Sequence, residues 1–114
     1  MSNCTCLTGI INIDGMGVSS LNGLYVDGCS GITSLSCMNN HLTSLNLNGC
    51  SSLQELYFSN NQISTLDIIG CNQLQQIHAE NNQLMSLYVS GLNNLTNFTF
   101  RGTAMLQTLH ISGC

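Results

Sequence analysis

The sequence predicts an all-β solenoid of about five turns, each 21–22 residues long, with two short parallel strand ladders and no helical cap. Three observations carry this prediction. Apolar residues return at a fixed 21-residue interval, and each interval holds two short segments in which apolar and polar residues alternate. Nowhere do apolar residues recur at the three-to-four spacing of an amphipathic helix. The interval is visible in three columns: Leu35, Leu56, Ile77 and Phe98; Leu24, Leu45, Leu66 and Leu87; and Cys29, Cys50, Cys71 and Leu92. At both ends the unit lengthens to 22. Phe98 reaches Leu106 in eight steps where Ile77 reaches Leu84 in seven, and Ile13 reaches Leu21 in eight, which places Ile13 in the Leu35 column. The repeat fills the chain, so residues 1–114 are expected to form a single domain.

Each element follows from its composition. Leu35-Ser36-Cys37 and Leu45-Asn46-Leu47 alternate, as half-buried strands do, and stacking such strands lap upon lap sets neighbours about 4.8 Å apart. One lap cannot bury its own apolar side, so the laps above and below must complete the core. Asn40, Asn61 and Asn82 stand one period apart at the bend after the first strand, where a buried amide can bond the backbone of its own lap and the next. Asn39, Asn60 and Asn81, just before them, are expected at positive φ, which Asn tolerates better than most residues. Gly28, Gly49, Gly70, Gly91 and Gly113 take the opposite bend. Seven cysteines are an odd number, so they cannot all pair within one chain. Cys29, Cys50 and Cys71 form a straight column of buried thiols. Only Cys4 and Cys6 are close in sequence, and a straight column does not converge on a tetrahedral metal, so neither metal nor cofactor is expected.

Segments Ile32–Leu42 (ITSLSCMNNHL), Leu53–Ile63 (LQELYFSNNQI) and Leu74–Leu84 (LQQIHAENNQL) share the pattern L-x-x-L-x-[LCFA]-x-N-N-x-[LI]. This pattern resembles the leucine-rich repeat. The 21-residue length, and Cys37 where the pattern usually has Leu, resemble the bacterial cysteine-bearing class of internalin-like and Bacteroidetes surface proteins. The resemblance implies a non-enzymatic recognition or adhesion module, extracellular or on a cell surface, that binds through the exposed side of its strand ladder; the many buried thiols also fit a reducing cytoplasm.

Asn, Ser, Thr and Gln supply 45 of the 114 residues, whereas Lys plus Arg is one and Asp plus Glu is five. A formal net charge of −4 with one basic residue excludes phosphate neutralisation, hence nucleic-acid binding, and excludes docking on an anionic membrane. No apolar run approaches a membrane span, and no signal leader is expected.

The outward positions of the first ladder are the candidate recognition face. They fall into three rows: Ser36, Tyr57, His78 and Thr99; Glu55, Gln76 and Asn97; and Met38, Ser59, Glu80 and Arg101, with an expected Glu80–Arg101 cross-strand pair. His78 with Glu55 or Glu80 also has the composition of an acid–base pair, but no nucleophile accompanies it and no catalysis is expected. On the second ladder, Tyr25, Asn46, Asp67, Tyr88 and His110 form the middle row, flanked by Gly23, Ser44, Thr65, Ser86 and Thr108.

The leading functional expectation is head-to-tail self-association into a filament or surface assembly. It rests on uncapped ends that carry Cys4 and Cys6 at one extremity and Leu109, Ile111 and Cys114 at the other. The alternatives are adhesion to a protein or glycan through the strand face, and ice binding by the small-hydroxyl row, which Tyr25, Asn46, Asp67, Tyr88 and His110 interrupt.

Overall fold

In a computed structural model, residues 8–15, 23–99 and 108–112 are described, and for 86–90 and 108–112 the backbone alone. The described residues form ten strands and no helix. In chain order these are β1 (Thr8–Asn12), β2 (Gly23–Tyr25), β3 (Gly31–Ser36), β4 (Ser44–Asn46), β5 (Glu55–Tyr57), β6 (Thr65–Asp67), β7 (Gln76–His78), β8 (Ser86–Ser90), β9 (Asn97–Thr99) and β10 (Thr108–Ser112). Odd strands pair in parallel in the order β1-β3-β5-β7-β9, so the chain completes four laps between β1 and β9. The register is the expected one: Leu35 pairs with Leu56, Leu56 with Ile77, and Ile77 with Phe98. Because the side-chain period is two, a one-residue slip from this register would turn a lap's apolar set outward.

The first lap departs from expectation. Ile11, not Ile13, pairs with Leu35, across a bulge between Gly9 and Ile10. Ile13 instead takes the place of Cys37, its N–H donating to Ser36 O at 2.8 Å as Cys37 N–H donates to Tyr57 O at 2.9 Å. Gly15, at φ 61°, then supplies the left-handed bend that Asn39, Asn60 and Asn81 supply in later laps at φ 59°, 61° and 58°. The last lap keeps its expected 22 residues, with Leu87 opposite Leu109 and Tyr88 opposite His110. The second ladder is divided rather than continuous: β2-β4-β6 form one sheet and β8-β10 another. Nothing in the repeat pattern accounts for that break.

The core lies between the two ladders and is built of columns. Leu35, Leu56 and Ile77 are fully buried, as are Leu42 and Ile63, with Leu84 nearly so. One column shows how volume is conserved: fully buried Phe58 stands one period from Cys37 below and Ala79 above, two small residues that make room for its ring. Cys29, Cys50 and Cys71, one period apart, are buried thiols outside any disulfide. Each upper thiol donates to a carbonyl of the lap beneath, Cys50 Sγ to Val26 O at 3.2 Å and Cys71 Sγ to Leu47 O at 3.1 Å.

The asparagine column ties the laps together. Asn61 Nδ2 donates to Phe58 O of its own lap at 3.0 Å and to Cys37 O of the lap below at 2.9 Å, while its Oδ1 accepts from Leu42 N–H at 3.2 Å. Asn82 repeats the pattern one lap on, donating to Ala79 O and Phe58 O and accepting from Ile63 N–H. Asn40 donates to Cys37 O and Ile13 O, and among the described residues nothing donates to its buried Oδ1. The exposed asparagines beside them form a second amide ladder, with Asn60 Nδ2 donating to Asn39 Oδ1 at 2.9 Å and Asn81 Nδ2 to Asn60 Oδ1 at 2.7 Å. At the opposite bend Gly70 adopts φ 86°, and a Cβ there would stand 3.4 Å from Gly49 N and Cα. The left-handed backbone favours glycine at that point, and the lap below leaves a side chain little room to spare.

Candidate recognition face

The outer side of the first ladder is set by strand alternation. Leu56 and Ile77 point into the core, so Glu55, Tyr57, Gln76 and His78 must point out, and neighbouring strands bring them side by side. Two of the three expected rows are set by the strand pairing: Ser36 lies opposite Tyr57, Tyr57 opposite His78, and His78 opposite Thr99, with Glu55, Gln76 and Asn97 in register beside them. Asn12 extends the first row, opposite Ser36.

Within the row the Tyr57 and His78 rings stack, their centroids 4.8 Å apart and their planes 25° from parallel. The spacing is that of adjacent strands, so the stack follows from register alone. Tyr57 Oη donates to Glu55 Oε2 at 2.5 Å and lies 3.4 Å from Gln76 Oε1. The bond to the Glu55 carboxylate, with burial and the carboxylate charge added, pushes the Tyr57 phenol up to about 12.

Glu80 holds the other end of the face. Ser59 Oγ donates to Glu80 Oε2, and His78 Nδ1 stands 3.8 Å from Glu80 Oε1. Burial alone would raise the Glu80 carboxyl, but hydrogen bonds from Ser59 and Thr99, its own backbone and the nearby His78 bring it net below its ordinary value. Thr99 Oγ1 lies 3.3 Å from the same His78 nitrogen. Thr99 and Glu80 therefore crowd one ring nitrogen. A hydroxyl–imidazole–carboxylate relay needs the two partners on opposite nitrogens, so this trio is not one.

Asp14 belongs to the face and was not anticipated. Its Oδ1 accepts from Ser36 Oγ at 2.6 Å and from Met38 N–H at 2.7 Å, filling in the first lap the place that Ser59 and Glu80 fill later. The signal was in the chain: Ile11-Asn12-Ile13-Asp14-Gly15 repeats Leu35-Ser36-Cys37-Met38-Asn39 with Gly for Asn. Arg101 lies outside the described residues, as do Cys4, Cys6 and Cys114. Leu109 and Ile111 lie on β10, where only the backbone is described, so their side chains are not placed. Among the described residues no group of three or more His, Cys, Asp or Glu side chains is arranged to hold a metal, and no helix is long and apolar enough to cross a membrane.

Stacked laps, asparagine-tied bends and an outward row of displayed side chains define a parallel β-solenoid whose central laps are similar to leucine-rich repeats. Residues 51–101 match the family model for Leucine Rich repeats (2 copies). No curated protein and no solved structure gives a significant match.

Proposed function

We propose that this chain is a recognition module whose first-ladder face binds a basic segment of a partner protein. The observation that carries the reading is the Tyr57–His78 stack set among the carboxylates of Asp14, Glu55 and Glu80, in a region whose described residues include neither Lys nor Arg. A stacked aromatic pair offers a flat platform, and an incoming guanidinium or ammonium group would meet both ring faces and fixed carboxylates. The hydrogen bonds that hold Glu55 and Glu80 cost the partner little ordering on arrival. The extracellular, adhesive setting and the bacterial cysteine-bearing class are part of the same proposal and rest on the repeat pattern.

Titration of isotope-labelled protein with an arginine-rich peptide, and with its Glu-substituted counterpart, tests the reading. The arginine peptide is expected to shift the amides of residues 55–57 and 76–80, more weakly as salt rises. Tyr57→Ala with Glu80→Gln is expected to abolish those shifts. Equal binding of the acidic peptide, or binding unchanged in the double variant, would reject the face.

A second reading, end-to-end self-association, is favoured by one feature. β1 and β10 each have five residues against three in most strands between them, and each pairs on one side only among the described residues. Long open edges template further strands. Sedimentation that grows with concentration, and that Ile111→Asp suppresses, would support it; a single monomeric species at every concentration would exclude it.

A further inference from the structure

On the opposite ladder, β2, β4 and β6 frame a depression of about 200 Å³ whose lining includes Tyr25, Ser44, Asn46, Thr65, Leu66 and Asp67. We infer that this depression is a subsite for a single neutral sugar ring, separate from the face proposed above. Its size fits that class. Pockets for drug-sized ligands run to roughly 300–1,000 Å³, so a single ring fits and little more.

The wall is an aromatic ring held in place. Tyr25 is 45% exposed, and its hydroxyl is hydrogen-bonded to Ser44 Oγ at 3.1 Å, which draws the ring back across Gly23. A Cβ on Gly23 would stand 2.4 Å from Ser44 Oγ and 2.9 Å from Tyr25 Cε2 and Oη, so the ring lies where only glycine leaves room. An immobilised, open aromatic face is the surface against which the C–H side of a pyranose packs.

The polar groups complete the chemistry. Asn48 N–H donates to Asn46 Oδ1 at 3.0 Å, and Ile69 N–H donates to Asp67 Oδ1 at 3.1 Å. These bonds orient both side chains, and among the described residues no hydrogen bond engages the Asn46 amide donor or the second Asp67 oxygen. Asn46 and Asp67 are direct cross-strand partners, which sets a donor and an acceptor about 5 Å apart, a spacing that neighbouring ring hydroxyls can bridge. Thr65 adds an exposed hydroxyl, and buried Leu45 with half-buried Leu66 makes an apolar floor. The only charge in the lining is the Asp67 carboxylate, so an acidic sugar is disfavoured.

The test is a titration of the labelled full chain with methyl glycosides of glucose, galactose, mannose and N-acetylglucosamine, with sialic acid as the anionic control. At least one neutral glycoside is expected to shift the amides of residues 24–26, 45–47 and 66–68 in the millimolar range, and sialic acid is not. Tyr25→Ala should weaken that binding about tenfold. Gly23→Ala, which leaves every lining side chain present but displaces the Tyr25 ring, should weaken it similarly while the remaining spectrum stays that of the folded chain. Tyr57→Ala should leave it unchanged. No shift with any neutral glycoside, a stronger response to sialic acid, or shifts that survive both Tyr25→Ala and Gly23→Ala would overturn the assignment.

Discussion

Replacing Asn61 by Ala is expected to remove about 3–4 kcal/mol of stability, and the figure can be built bond by bond. The side chain donates to Cys37 O and Phe58 O and accepts from Leu42 N–H, all in the buried interior. Each hydrogen bond is worth about 0.5–1.5 kcal/mol net. The two carbonyls keep a second partner, since Asn40 also donates to Cys37 O and Asn82 to Phe58 O. Leu42 N–H keeps none among the described residues, and an orphaned buried donor costs about 1–3 kcal/mol more. Against a total of roughly 5–15 kcal/mol for an ordinary domain, that loss lowers the melting temperature by about 10–15 °C. Asn61→Leu should be no better, because it restores volume without restoring a bond. Asn40→Ala should cost about 1 kcal/mol less, since no donor among the described residues reaches Asn40 Oδ1. Urea unfolding followed by circular dichroism gives all three values. An Asn61→Ala protein within about 1 kcal/mol of the parent, or an Asn40→Ala cost equal to that of Asn61→Ala, would refute the reasoning.

Three further outcomes follow from the same geometry. Burial pushes the Cys37 and Cys71 thiols up to about 12, and raises Cys50, so a thiol reagent near neutral pH should spare them until the chain unfolds; rapid native labelling of Cys71 would contradict this. Because the Tyr57 phenol rises from 10.0 to about 12 on folding, its contribution to stability is complete below about pH 10 and is lost as pH climbs through 12. Phenolate absorbance should show a late-titrating tyrosine that Tyr57→Phe abolishes and Glu55→Gln moves down, and no change in either variant would count against the bond. Gly70→Ala should cost about 1–3 kcal/mol, and more than Gly91→Ala, because both force an L side chain to positive φ but only Gly70 also faces the lap below.

Much of the fold was legible because one residue type recurs at one spacing. Asn39, Asn60 and Asn81 at positive φ, the buried Asn40, Asn61 and Asn82, and the Cys29–Cys50–Cys71 column all sit where the period puts them. The first lap was misread because Ile13 and Ile11 are equally apolar, and the choice between them rests on a bulge at Gly9/Ile10 and on Gly15 doing the work of Asn. The composition of the face was readable from alternation, but its partners were not. Glu80 was matched to Arg101 by charge, and Arg101 lies outside the described residues; among those described, Ser59 donates to Glu80 and His78 stands 3.8 Å from it. Tyr57 turns along its own strand to Glu55, a rotamer choice that carries no periodic signal.

The measurement that bears most directly on this account is a set of backbone contacts between protons of neighbouring strands in solution. If the laps superimpose as described, Leu56 shows cross-strand contacts to Leu35 on one side and Ile77 on the other, and Ile77 shows them to Phe98. Contacts displaced by one residue would turn the Tyr57–His78 row inward. Antiparallel or helical contacts would abolish the row, and the account with it.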